Sequence, residues 1–168
     1  MKILETNKLL IREYVHEDIP LVMQYSQESC KRRELPDEVF DTMELAENQI
    51  NMCIHNYARK EYPLVYAIVL KESNTLIGDI LLSPVKEGVE IGYFISEKYQ
   101  GSGYAAEAVR PFADWAKETM PHIKTLYGLA KKSNIASWKS LEKAGFVFSG
   151  EKEINFFGET FVFKVYTY

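Results

Sequence analysis

The chain has 168 residues, 46% of them hydrophobic, which is enough for one well-buried core and short for two. Its net charge of −4 gives no general attraction to nucleic acid, although small basic clusters stand at Lys31-Arg32-Arg33 and Lys131-Lys132. Apolar runs of only a few residues and an N-terminus, Met1 to Glu5, without a signal-peptide core lead to the expectation of one soluble cytoplasmic domain over 1–168, with neither membrane nor nucleic acid as partner.

Lys8 to Tyr14 alternates weakly and predicts a strand. His16 to about Ser29 carries Ile19, Val22 and Met23 on one helical face, with Pro20 tolerated in a first turn. Cys30 to Thr42, charged and containing Pro36, is expected to be a loop, and Met43 to Lys60 a second helix with Leu45, Ile50, Ile54 and Tyr57 as its apolar stripe. Leu64 to Leu70 is a buried strand, Glu72 to Thr75 its turn and Leu76 to Leu82 its antiparallel partner. Val89 to Ile95 completes the meander after a Glu87-Gly88 turn. A helix follows from Gly103 toward Thr119, with Pro111 expected to kink it two turns past its start and Pro121 to end it. Ile123 to Ala130 is the next strand and Asn134 to Ala144 a short helix with Gly145 as a left-handed cap. From Phe146 a hairpin runs to a turn near Phe157-Gly158-Glu159.

Cys30 and Cys53 are far apart and lack a C-x-x-C arrangement, which fits a reducing compartment. Cys53 and His55 form the only close Cys/His pair, without a second pair to complete four ligands, so no metal is expected. The chemistry-bearing stretch is Val89 to Glu107. There an apolar strand turns through Gly101 and Gly103 straight into a helix, so that backbone amides and the positive helix end face one point, which makes a cradle for a phosphate or pyrophosphate.

Two nucleotide patterns compete for this stretch. Gly101-Ser102-Gly103-Tyr104-Ala105-Ala106 fits G-x-G-x-x-G/A, the dinucleotide fingerprint, but Glu97 to Gln100 separate strand from glycines, Lys124 to Ala130 carries no acid, and too little chain follows for a doubly wound sheet. Gln100, Gly103 and Ala105 fit Q/R-x-x-G-x-G/A. With the strand before them and Asn134 to Phe146 after the next strand, the chain resembles the GNAT superfamily of acetyl-CoA-dependent N-acetyltransferases over nearly its whole length. Leu9 to Tyr14 followed by His16 to Ile19 also resembles the opening of its RimJ/RimL-like subgroup, which includes ribosomal-protein N-terminal acetyltransferases.

The resemblance implies an α/β (α+β) fold with a mixed, mostly antiparallel sheet of about seven strands and helices on both faces. It implies acetyl-CoA as co-substrate and an amine acceptor as partner, and leaves a homodimer as an option. Gln100, Gly101, Ser102, Gly103, Tyr104 and Ala105 would bind the pyrophosphate through main-chain amides, and Phe94, Ile95 and Ser96 the pantetheine arm along a strand that diverges from its neighbour. Asn134 is placed beside the cofactor, a role compatible with an ordinary helix N-cap. Lys143, with Lys131, Lys132 and Lys139, is a candidate for the phosphates, against the alternative of solvated surface lysines.

Glu90 stands where many members place a general base, which an ammonium acceptor of pKa about 8 or about 10 requires. A solvated strand carboxylate is the competing reading, and Glu13 a second candidate base. Seven residues after Asn134, where many members carry a tyrosine as general acid, this chain has Leu141, and the subgroup's alternative acid is the serine at 137, Ser137. Neither cysteine lies in an acyl-enzyme motif, so direct transfer is expected. Glu34, Asp37, Glu38 and Asp41 are the acidic residues expected on the acceptor side. Two other functions stay open: a non-catalytic CoA-binding module and, less favoured, an NAD(P)-dependent oxidoreductase.

Overall fold

A computed structural model describes residues 1–86, 88–156 and 158–168; Glu87 and Phe157, each part of a predicted turn, lie outside the described residues. Eight strands there form one sheet in the order β1-β2-β3-β4-β5-β6-β8-β7. They are β1 (Lys2–Glu5), β2 (Leu9–Arg12), β3 (Leu64–Leu70), β4 (Thr75–Val85), β5 (Gly88–Ile95), β6 (Leu126–Lys131), β7 (Val147–Phe156) and β8 (Glu159–Thr167). Every pairing is antiparallel except β5 with β6. Five α-helices accompany the sheet: α1 (Ile19–Ser26), α2 (Ser29–Glu34), α3 (Met43–Arg59), α4 (Tyr104–Thr119) and α5 (Ile135–Lys143).

Strand alternation sorts the core into two layers. On one face Ile11, Ile68, Ile80, Leu82, Val89, Ile91 and Leu126 pack against Ala108, Val109, Phe112, Ala113 and Ala116 of α4 and Leu141 of α5. On the other face Val65, Ala67, Val69 and Phe94 meet Tyr25 of α1 and Ile50 and Cys53 of α3. The buried positions of α4 recur at helical spacing, so burial of that face drives the helix onto the sheet. The helix runs unbroken through Pro111. Gly145 takes φ +95° after α5, the left-handed cap its position predicts.

Three expectations need correction. The sheet gains a strand, β1, which pairs with β2 across Lys2↔Arg12 and Glu5↔Leu10. The predicted first helix divides into a 3-10 turn, His16–Asp18, and α1. The segment from Cys30 to Thr42, expected to be a loop, contains most of α2 and a 3-10 turn, Pro36–Glu38. Glu97 explains α2, because its carboxylate accepts from the Ser29 hydroxyl at 2.6 Å and the Cys30 N–H at 2.7 Å. A helix capped from 67 positions away leaves no local sequence signal.

Candidate active site

The parallel junction of β5 and β6 is short. Val89 pairs with Leu126 and Glu90 with Tyr127, after which the register ends, while β4 follows β5 to Gly78↔Ile95 and β8 follows β6 from Tyr127 to Lys131. Ile91 to Ile95 therefore have a partner strand on one side only, and a wedge opens toward the C-terminal ends of two parallel strands. Sheet edges inside a fold leave backbone donors and acceptors that need partners, and crevices at strand C-termini are where open α/β sheets take ligands.

At the mouth of that wedge the chain makes its glycine turn. Gly101 and Gly103 adopt φ +77° and +83°, and a Cβ added at either would meet nothing within 4 Å, so the cradle is open on its outer side. Gly103 is the N-cap of α4, a helix of 16 residues whose first amides lack intrahelical partners. Gln100 folds its side chain back, donating to the Ile95 carbonyl at 2.8 Å, which fixes the turn to the end of β5. Glu107 in the first turn of α4 is drawn away from the cradle, accepting from Thr6 Oγ1 at 2.6 Å and the Lys8 N–H at 2.8 Å. Ser102 is exposed, and Tyr104 and Ala105 open the helix half-buried. Open amides, with the Glu107 carboxylate engaged elsewhere, fit a pyrophosphate.

Glu90 occupies the last paired position, at the base of the wedge, beside Ser83 on β4 and Tyr127 on β6. Burial pushes its carboxyl up to about 7, with Lys152 pulling the other way. A carboxylate poised there is far better placed to exchange a proton near neutral pH than a solvated one. Glu13 is remote from the wedge, since β3 and β4 stand between β2 and β5, and it accepts from the N-terminal ammonium at 2.8 Å.

Phe94 and Ile95 are buried, and Ser96 is buried with its hydroxyl donating to Glu28 at 2.6 Å. Glu28 and Glu97 act reciprocally: Glu28 also accepts from the Glu97 N–H at 2.8 Å, while Glu97 caps α2. These two carboxylates with Cys30 bring three ligand atoms within 4.8 Å of one another, but their oxygens are engaged by O–H and N–H donors. Sequence reasoning missed this latch of the α1–α2 junction to the cradle, whose partners lie far apart in the chain.

Beyond the latch, α2 carries Lys31, only 4% exposed, whose ammonium pairs with Glu38, lies 3.7 Å from Asp79 and sits 4.3 Å over the Phe94 ring. Burial works against that ammonium, but Asp79 and Glu38 outweigh it and hold its pKa raised. Of the four acidic residues expected on the acceptor side, Glu38 is thus neutralised, Glu34 lies 2.7 Å from Arg33 and 3.6 Å from Lys131, and Asp37 and Asp41 are exposed. Lys131 is buried between the Phe156 and Phe161 rings, Lys132 pairs with Glu151, and Lys143 is exposed in the last turn of α5.

Asn134 caps α5, its Oδ1 accepting from the Ser137 N–H at 3.2 Å. Ser137 also meets Tyr93, a residue that sequence reasoning did not select, whose hydroxyl donates to the Ser137 carbonyl at 2.7 Å. Leu141 is 1% exposed and lies flat on Gly128, where an added Cβ would stand 2.7 Å from its Cδ2. Leu141→Tyr is therefore expected to overpack the α5–β6 contact and lower stability by about 1–3 kcal/mol without raising any rate. Thermal melts and steady-state rates check this, and an undiminished melting temperature with faster turnover would contradict it.

Comparison with known proteins gives this arrangement a family. The sequence model described as acetyltransferase (GNAT) domain matches residues 8–147. The uncharacterized N-acetyltransferase YnaD of Bacillus subtilis is 28% identical over 142 residues, 83% of this chain and 79% of the relative. A GNAT-family acetyltransferase of Bacillus anthracis superposes with a TM-score of 0.84 at 26% identity, over 100% of this chain and 98% of that one. RimL, the ribosomal L7/L12 alpha-N-protein acetyltransferase solved with coenzyme A, has the same fold, with a TM-score of 0.83 at 17% identity over 100% and 97% of the chains. The glycine cradle, the wedge beside it and a match over most of the sequence converge on one conclusion: the chain belongs to the GNAT acetyltransferase family.

Proposed function

We propose that the protein, as one domain over 1–168, transfers the acetyl group of acetyl-CoA directly to a primary amine, either a protein N-terminus or a small-molecule amine. The observation that carries this reading is Glu90 at the base of the β5–β6 wedge, its carboxyl raised to about 7, with an anion cradle at the mouth of the same wedge. The fold shared with RimL, and Ser137 in place of a phenol at position 141, support the RimJ/RimL-like subgroup. Acetyl-CoA supplies an activated thioester carbonyl. The cradle from Gln100 to Ala105 binds its pyrophosphate, Phe94 to Ser96 line the arm, and Asn134 and Lys143 complete the cofactor side. Glu90 removes the proton of the incoming ammonium, and Ser137 donates to the sulfur that leaves.

Burial pushes the Cys30 thiol up to about 11 and the Cys53 thiol up to about 12, which supports transfer without an acyl-enzyme, because few thiolates are present to attack. Among the described residues no helix is long and apolar enough to cross a membrane. Incubation with acetyl-CoA and a panel of N-terminal peptides and free amines, read by product mass, tests the proposal. An acetylated amine is expected. Acetyl-CoA binding without any acetylated product would instead support a non-catalytic CoA-binding module.

A further inference from the structure

Tyr93 lies three residues beyond Glu90, past the last pair that joins β5 to β6, and on the strand face of Val89 and Ile91. Its ring crosses to α5. There the hydroxyl donates to the Ser137 carbonyl at 2.7 Å and stands 3.2 Å from Ser137 Oγ. One phenol thus bridges two walls of the wedge that share no strand pairing at this level. Asn134 Oδ1 holds the Ser137 N–H at 3.2 Å, so the backbone of Ser137 is fixed on both sides of its Cα. With the phenol proton given to the carbonyl, the 3.2 Å contact is one in which Ser137 donates to the phenol oxygen, so the serine proton rests on Tyr93 and turns from there to the departing sulfur. Burial pushes the Tyr93 hydroxyl up to about 12, which keeps it a neutral donor at working pH. Leu141 packed on Gly128 leaves little room for a ring at position 141, and the phenol that reaches α5 here is that of Tyr93 on β5.

We propose that Tyr93 is a positioning residue for the departing sulfur, holding Ser137 so that its hydroxyl faces the wedge as a hydrogen-bond donor. This deepens the acetyl-transfer reading and rests on it. In the transfer, Glu90 takes a proton from the ammonium and passes it to solvent, the neutral amine forms the C–N bond at the acetyl carbon, and Glu90 then takes the second proton that the nitrogen sheds. Ser137 Oγ donates its hydrogen bond to the sulfur, which departs with the electron pair of the broken C–S bond and takes its proton from solvent. Tyr93 gains and loses no proton.

The test compares calorimetric affinities for CoA at pH 9, above the usual thiol pKa of about 8.5, with those for acetyl-CoA. It uses the native protein, Tyr93→Phe, Ser137→Ala and the double variant. Each single change is expected to weaken CoA thiolate about tenfold and acetyl-CoA less than about twofold, and the double variant to weaken CoA no further, because the two side chains act as one unit. With an identified acceptor, kcat should fall in the same non-additive pattern while KM for acetyl-CoA stays fixed. Equal weakening of CoA and acetyl-CoA by Tyr93→Phe, a loss that multiplies with that of Ser137→Ala, or native affinities in Tyr93→Phe would each overturn the proposal. A native protein that binds CoA but acetylates no amine would overturn the transfer reading by a separate assay, while the affinity comparison still decides whether Tyr93 serves the sulfur site.

Discussion

Glu90→Gln is expected to lower kcat about a hundredfold near neutral pH, the lower range for a lost general base. Glutamine keeps the shape of the side chain at the last β5–β6 pair but accepts no proton. Because the native carboxyl titrates at about 7, native kcat/KM should rise with pH through that value, and the variant should lack this limb. The gap between the two proteins is then widest from about pH 7 up to the amine's own pKa, about 8 for an N-terminus or about 10 for a lysine, above which the acceptor is already neutral. Stability moves the opposite way. A carboxyl raised by burial binds its proton more tightly folded than unfolded, so native stability falls as pH rises from the ordinary glutamate range through about 7. Glu90→Gln removes that loss and should melt at or above the native temperature at pH 8, which separates lost chemistry from lost fold. Native rates in the variant across the whole pH range would reduce Glu90 to a strand carboxylate.

Gly103→Val is expected to abolish the rise in melting temperature that acetyl-CoA gives the native protein. At a hundredfold excess over Kd that stabilisation is about 2.7 kcal/mol, or about 5–10 °C for a chain of this size. The open space around Gly103 means that a valine meets no neighbour. Its Cβ would instead fill the approach to the cradle amides, and φ +83° is strained for a β-branched residue. Gly103→Ala, less strained and smaller, should lose part of the response and serves if the valine variant does not fold. NAD(P) should shift neither protein. A folded Gly103→Val with the full acetyl-CoA response would mean that the cradle does not bind the cofactor.

The parts of this fold that depend on neighbours in sequence were readable from it. Gly101 and Gly103 mark a turn that only positive φ closes, Asn134 and Gly145 cap α5, and the apolar spacing of α4 matches its buried face. What escaped depends on distant partners. The strand β1 is four residues with a weak pattern, held by pairing to β2. The helix α2 takes its cap from Glu97, and Lys31, one of three adjacent basic residues, is buried by Asp79, Glu38 and Phe94 while Arg32 and Arg33 stay exposed. Tyr93 escaped because alternation assigns it to the apolar face of β5, and only the end of the β5–β6 register shows that this face borders a wedge.

Hydrogen exchange with and without saturating acetyl-CoA shows whether the glycine cradle and the end of β5 hold the cofactor. Amides of 101–105 and of Ile95 and Ser96 are expected to slow when acetyl-CoA binds, with β1 and the middle of α3 unchanged. Unchanged exchange at 101–105 together with slowing at some other surface would contradict binding at the cradle.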